Sequence, residues 1–105
     1  MPLSIVCNDA NGSVRCVIEG ELDLASQDAA LAELIPAIER SGESVILDLA
    51  RVEFIDSTGL RVLIACQQQA AEAKTRLLIA SPSNAVQQIF DLTKLNDRFE
   101  FAEDG

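Results

Sequence analysis

The tetrapeptide Asp56-Ser57-Thr58-Gly59 places a carboxylate, two adjacent hydroxyls and a glycine directly ahead of a largely apolar stretch at 60–66. Two kinds of chemistry fit that order. Before a helix, a side-chain oxygen accepts one of the unpaired first-turn N–H groups and stabilises the helix by about 1 kcal/mol. The same helix start, with free amides and the positive end of the dipole, also receives an anion or a phosphorylated hydroxyl. A glycine there leaves the amides open to the bound group. Capping alone does not require two hydroxyls and a glycine, so both readings stand at this point. A further acidic residue, Asp23, closes Gly20-Glu21-Leu22-Asp23, and Ser81-Pro82-Ser83 adds a third polar segment.

The elements that must position these residues follow from turn chemistry and periodicity. Residues 3–8 and 14–19 alternate in polarity on either side of Asn11-Gly12, a tight hairpin turn. With those two residues as the whole turn, Ile5 faces Ile18, Cys7 faces Cys16, and Leu3 joins them on one face. A Cys7–Cys16 bond is geometrically conceivable. Paired small apolar residues in a core explain the same placement, and both thiols are expected to be buried and reduced. Leu31, Leu34, Ile35 and Ile38 mark the stripe of an amphipathic helix capped by Ser26 and ending near Ser41-Gly42. Pro36 removes the bond to the Ala32 carbonyl and is expected to kink or shorten it.

Val45-Ile46-Leu47-Asp48-Leu49 reads as a strand covered on both faces. Leu60, Val62, Leu63, Ile64 and Cys66 fill most sides of a buried helix whose tail, Gln67-Gln68-Gln69, is polar and exposed. A strand at Arg76–Ala80 follows. Ser81 as cap and Pro82 at the first helical position open a third helix, with Val86, Ile89 and Phe90 inward. A short last strand holds Phe99 and Phe101. The order β-β-α-β-α-β-α-β predicts an α/β domain. Its sheet is mixed and mainly parallel, of about five strands with an antiparallel first strand, packed with about three helices through right-handed crossovers. Functional groups in such sheets gather at the carboxyl ends of strands. The three loops are therefore expected along one edge, with Asp23, Asp56, Ser57 and Thr58 on a single surface and Phe54 and Ile55 anchoring the middle loop.

Composition narrows the function. A chain of 105 residues holds one core, and 49% hydrophobic with 24% charged residues is the balance of a globular domain. Eight Lys and Arg against 17 Asp and Glu give a net charge of -9. Nucleic acid and anionic bilayers are repelled by that field and are not expected partners. Histidine is absent, which removes the commonest general base and metal ligand and every Ser-His-Asp or Cys-His arrangement. There is no GxxxxGK[ST] loop and no receiver-type aspartate pocket with a strand-end lysine, so neither intrinsic catalysis nor a cofactor is expected. Cys7, Cys16 and Cys66 lack CxxC spacing and suit reduced cysteines better than a zinc site or disulfide frame. No apolar run approaches the roughly 18 residues of a membrane span, and MPLSIVCND has no basic n-region, so a soluble cytoplasmic protein is expected.

Three segments carry a family resemblance. GELD at 20–23, LDLARVEFIDSTGLRVLI at 47–64 and SPSNAVQQIFDLTKL at 81–95 resemble the STAS domain, and within it the bacterial anti-sigma factor antagonists. The resemblance extends over nearly all of residues 1–105 and implies a partner switch. The unphosphorylated protein binds an anti-sigma factor that is also a GHKL-type serine kinase and so frees the sigma factor. Phosphorylation releases the partner, and a PP2C-type serine phosphatase resets the switch. Ser57 matches the family's phosphoacceptor, and Asp23 matches the neighbouring-loop aspartate that contributes to partner binding. Asp56, Thr58 and Gly59 match the rest of the motif. The implied partner surface is therefore Asp23, Asp56, Ser57, Thr58 and Gly59, on a protein monomeric when free.

Two departures accompany the resemblance. The chain stops at Phe101-Ala102-Glu103-Asp104-Gly105, where family members commonly continue into a final helix, so that helix is expected to be short, absent or outside this chain. Leu24-Ala25-Ser26-Gln27 and Pro36 are particular to this sequence and bear on partner identity. STAS domains also serve as accessory subunits of lipid-transport complexes and as tails of anion transporters. A phosphoacceptor serine sets the switch apart from such a scaffold.

Overall fold

Asn11 and Gly12 both adopt positive φ, 53° and 86°, the pair of left-handed residues that a two-residue type I′ turn needs. In the computed structural model, which describes residues 2–102, they join β1 (Ser4–Ala10) to β2 (Ser13–Leu22). The register pairs Ile5 with Ile18 and Cys7 with Cys16. Cys7 and Cys16 are joined in a disulfide, with Cα atoms 4.0 Å apart. Cys16 is buried and Cys7 half-buried. Directly opposed side chains on one face of an antiparallel pair come within bonding reach, and this corrects the expectation of two buried, reduced thiols. Cys66 is a free thiol whose pKa burial pushes up to about 12.

The remaining elements are α1 (Gln27–Arg40), β3 (Ser44–Ile55), α2 (Ser57–Ala73), β4 (Arg76–Ala80), α3 (Asn84–Thr93) and β5 (Glu100–Phe101). The sheet runs β1-β2-β3-β4-β5, the first pair antiparallel and the others parallel. Every crossover steps the same way across the sheet, so right-handed connections put all the helices on one face. Cys16, Ile18, Leu22, Val45, Leu47, Leu49 and Ile79 point to that face and share one core with Leu34, Ile38, Leu63, Val86 and Phe90. The Phe90 ring stacks on Phe99 at 5.1 Å and meets Phe101 edge-on at 6.0 Å, which docks α3 over β5.

Among the described residues no layer covers the opposite face, which corrects the reading of β3 as two-sided. Ile46 and Asp48 are half-buried there, among the ion pairs Arg15–Asp48 at 2.9 Å, Arg51–Glu19 at 3.9 Å and Arg76–Glu100. One-way winding is the cause, because a second layer would need a crossover in the reverse direction.

Several local expectations also shift. Helix α1 runs through Pro36 to Arg40 without being shortened. Pro36 and Ala32 both face solvent, where water can satisfy the carbonyl that proline leaves free. The cap of α3 is Ser83, whose Oγ accepts from the Val86 N–H at 3.3 Å. Ser81 instead turns the chain at φ 49°, and Pro82 precedes the helix. Gln67 and Gln69 are half-buried and donate to the Arg98 carbonyl at 2.5 Å and to Glu39 Oε2 at 3.4 Å, so within Gln67-Gln68-Gln69 Gln68 alone is exposed. Residues 103–105, where a final helix would begin, lie outside the described residues.

The start of α2 packs on the end of β2. A Cβ on Gly59 would collide with the Leu22 carbonyl oxygen and stand 2.8 Å from Ile55 Cγ1. Gly59→Ala is therefore expected to destabilise the domain by about 3 kcal/mol, the upper part of the over-packing range, measured by urea unfolding; a loss below about 0.5 kcal/mol would show that the contact is not tight. The cysteines give an independent check by mass after alkylation. Unfolding without reductant should expose one reactive thiol, Cys66, and unfolding with reductant all three. Three alkylations without reductant would contradict the Cys7–Cys16 bond.

Candidate functional site

Asp56 sits at the joint between β3 and α2 in extended conformation, φ -117° and ψ -169°. Its Oδ1 accepts from the Gly59 N–H at 3.0 Å and its carbonyl from the Leu60 N–H at 2.9 Å. Its own N–H donates to the Leu22 carbonyl at 3.3 Å. The capping role thus belongs to Asp56, which leaves the hydroxyls of Ser57 and Thr58 outside the cap. Ser57 is exposed as the first residue of α2, and Thr58 is half-buried. Gly59 is buried, with its N–H already taken by Asp56. Its missing side chain admits the end of β2, where the sequence reading assigned it to opening the amides. The first-turn amides without a described acceptor are those of Ser57 and Thr58.

Asp23 lies on the adjoining loop, because Leu22 is bonded to Asp56 and is the register partner of Ile55. Its Oδ1 accepts from the Ser26 N–H at 3.1 Å while its N–H donates to Ser26 Oγ at 3.0 Å. Ser26 Oγ in turn donates to the Glu21 carbonyl at 2.7 Å. Ser26 holds the N-cap position of α1 without a side-chain cap bond, since its hydroxyl is turned back into this loop. The Asp23–Ser26 exchange fixes a compact turn, so the Asp23 side chain has a structural role beside any role in binding.

The third loop does not join this surface. β4 ends at Ala80, opposite Asp48 of β3, while β2 and β3 continue together to Leu22 and Ile55. Ser81-Pro82-Ser83 consequently runs beside β3, with the Ser83 N–H donating to the Leu49 carbonyl at 3.2 Å. The structure brings together Asp23, Asp56, Ser57, Thr58 and Gly59 and leaves the third loop apart. Two apolar side chains stand exposed in the region. Leu24 is 73% exposed and Phe54 47%. Ile55 is buried as an anchor should be, but Phe54 is not. The break in alternation across Val52-Glu53-Phe54-Ile55 was the available signal, because strict period 2 cannot bury both Phe54 and Ile55.

This surface can present one hydroxyl, two carboxylates and two apolar side chains to another macromolecule. Among the described residues, no group of three or more His, Cys, Asp or Glu is placed to hold a metal ion. No described helix is long and apolar enough to cross a membrane.

Residues 9–104 match the STAS domain family. The chain is 26% identical over 97 residues to the anti-sigma-B factor antagonist of Bacillus subtilis, spanning 92% of this chain and 88% of that protein. In fold it is similar to the crystal structure of an anti-sigma factor antagonist from Mycobacterium paratuberculosis, with a TM-score of 0.85 and 21% identity over 98% of this chain and 87% of the other. It is likewise similar to unphosphorylated SpoIIAA, an anti-sigma factor antagonist, at TM-score 0.76 and 20% identity over 96% and 90% of the two chains. The phosphorylated form, from Bacillus, gives 0.71 and 19% over 96% and 93%. The expected fold class is the observed one, and with a family match along nearly its whole length this chain belongs to the STAS domain family.

Proposed function

We propose that this chain is an anti-sigma factor antagonist operating as a phosphorylation-controlled partner switch, with Ser57 as its phosphoacceptor. The observation that carries the reading is the placement of Ser57: exposed at the head of α2, beside a cap supplied by Asp56, with its hydroxyl needed by neither. Relatives that bear the name of anti-sigma factor antagonists support it, as does the similarity to SpoIIAA in phosphorylated and unphosphorylated forms.

In the unphosphorylated state, the surface around Asp23, Asp56, Ser57, Thr58 and Gly59 docks on an anti-sigma factor of GHKL serine-kinase type, and Leu24 and Phe54 supply apolar contact at its rim. The partner brings the nucleotide and the base. Ser57 Oγ attacks the γ-phosphorus of ATP, the bond to the β-phosphate oxygen breaks, ADP leaves with the electron pair, and the hydroxyl proton passes to the kinase. The product carries about -1.5 to -2 additional charge. The α2 dipole and the free amides of Ser57 and Thr58 accommodate that charge within the fold. On the docking surface it adds to Asp56 and Asp23, and desolvating a dianion there opposes binding. A PP2C-type phosphatase hydrolyses the ester and restores the binding form. The domain acts by binding, as a single unit that is monomeric when free and works in the cytoplasm.

The test is calorimetric titration against each GHKL-type serine kinase encoded in the source genome, purified singly. Ser57→Ala should bind the cognate kinase as tightly as unphosphorylated wild type and stay bound when ATP is added. Phosphorylated protein should bind about a hundredfold more weakly, and Ser57→Asp should fall between. Equal affinities for all forms would reduce Ser57 to a surface residue of α2. Asp23→Asn keeps an acceptor for the Ser26 N–H while removing the charge. Its stability should stay within about 0.5 kcal/mol of wild type, with weaker binding; unchanged affinity would confine Asp23 to its turn.

A further inference from the structure

The early end of β4 leaves part of β3 with an unshared edge. Ala80 pairs with Asp48, then Ser81 takes φ 49° and Pro82, which has no N–H, carries the chain away. One backbone bond, Ser83 N–H to the Leu49 carbonyl, closes the gap. The Ala50 N–H is satisfied by Asp48 Oδ1 at 3.1 Å. From Arg51 to Ile55 the strand pairs with β2 on one side, in two short stretches, Arg51-Val52 and Phe54-Ile55, set off by register shifts at Ala50 and Glu53, and with no described strand on the other. Between this edge and the 81–85 segment lies an open groove of about 640 Å³, walled by Val52, Glu53, Pro82 and Asn84 among others. The strand that forms it leads directly into Asp56 and Ser57.

We infer that this groove receives an extended segment of the anti-sigma factor, which adds a strand to the free edge of β3 at 50–55. The inference rests on the partner-switch reading and names how the partner is held. An extended backbone offers donors and acceptors to the short stretches of this edge on either side of the shift at Glu53. Charge selects the occupant. Glu53 is the ionisable residue of the groove wall, and Arg51, the cation beside it in sequence, is paired with Glu19. An incoming segment is therefore favoured by a Lys or Arg facing Glu53. A second copy of this chain, with net charge -9, is disfavoured by self-repulsion. A segment bonded to 50–55 would set the kinase site in register with Ser57 through continuous strand, which loop contacts alone do not do.

Amide hydrogen exchange tests it, on the full chain alone and with the GHKL-type kinase that binds it. Amides within 51–55 that are not already bonded to β2 should exchange at least about tenfold more slowly in the complex. Glu53→Lys, an exposed substitution, should keep the wild-type melting temperature and weaken binding about tenfold or more. If the kinase binds and exchange at 51–55 is unchanged, strand addition is refuted while the partner reading survives. If none of the kinases binds unphosphorylated wild type, the partner reading falls and this inference with it.

Discussion

The approach of Gly59 to the carbonyl of Leu22 is the contact on which the candidate site depends. It brings the first turn of α2 against the end of β2 at a distance no side chain permits. The Asp56 N–H closes on the same Leu22 carbonyl, and the Asp56 carboxylate closes on Gly59. Three links among Leu22, Asp56 and Gly59 thus weld two strand ends and a helix start into one rigid corner. Ser57 is exposed on it while Asp56 before it and Gly59 after it are already committed inward. A phosphate added at that point meets a fixed surface, so its effect is felt by whatever docks there and little by the fold.

Sheet topology explains why this surface is an edge and not a pocket. Ligand crevices in parallel α/β sheets open where strand order reverses and helices pass to the other face. In β1-β2-β3-β4-β5 no reversal occurs. The helices stay on one side, the strand ends form an uninterrupted rim, and Leu24 and Phe54 stand out from it. Such a rim suits a protein partner. It is also stepped, because β4 falls short of β3, and the step creates the groove beside 50–55.

Much of this was legible in the sequence. Asn11-Gly12 set the hairpin register because a type I′ turn admits one alignment of the flanking strands, and Asp56-Ser57-Thr58-Gly59 announced a helix start. The corrections share a cause: they depend on relations between distant segments. Local hydrophobicity marks Ile46 as buried because it does not reveal that successive crossovers leave one face bare. Ser81 looked like a cap because Ser-Pro is a good helix opening, and only the tight turn after β4 displaced the cap to Ser83. Gly59 in its motif suggests room for a ligand, but its close neighbour is Leu22, far away in sequence. The Cys7–Cys16 register was readable, while the bond between them required the sulfur positions.

The central claim is that Ser57 is the residue modified and that its charge acts on a preformed surface. The most direct measurement is site-resolved phosphate mapping after incubation with ATP and the cognate GHKL-type kinase, with backbone amide spectra recorded before and after. The expected result is one phosphate, on Ser57, with spectral changes confined to residues 22–26 and 56–60 and the β1–β4 core unaltered. A phosphate on Thr58 or elsewhere, or spectral changes spread through the core, would contradict the account.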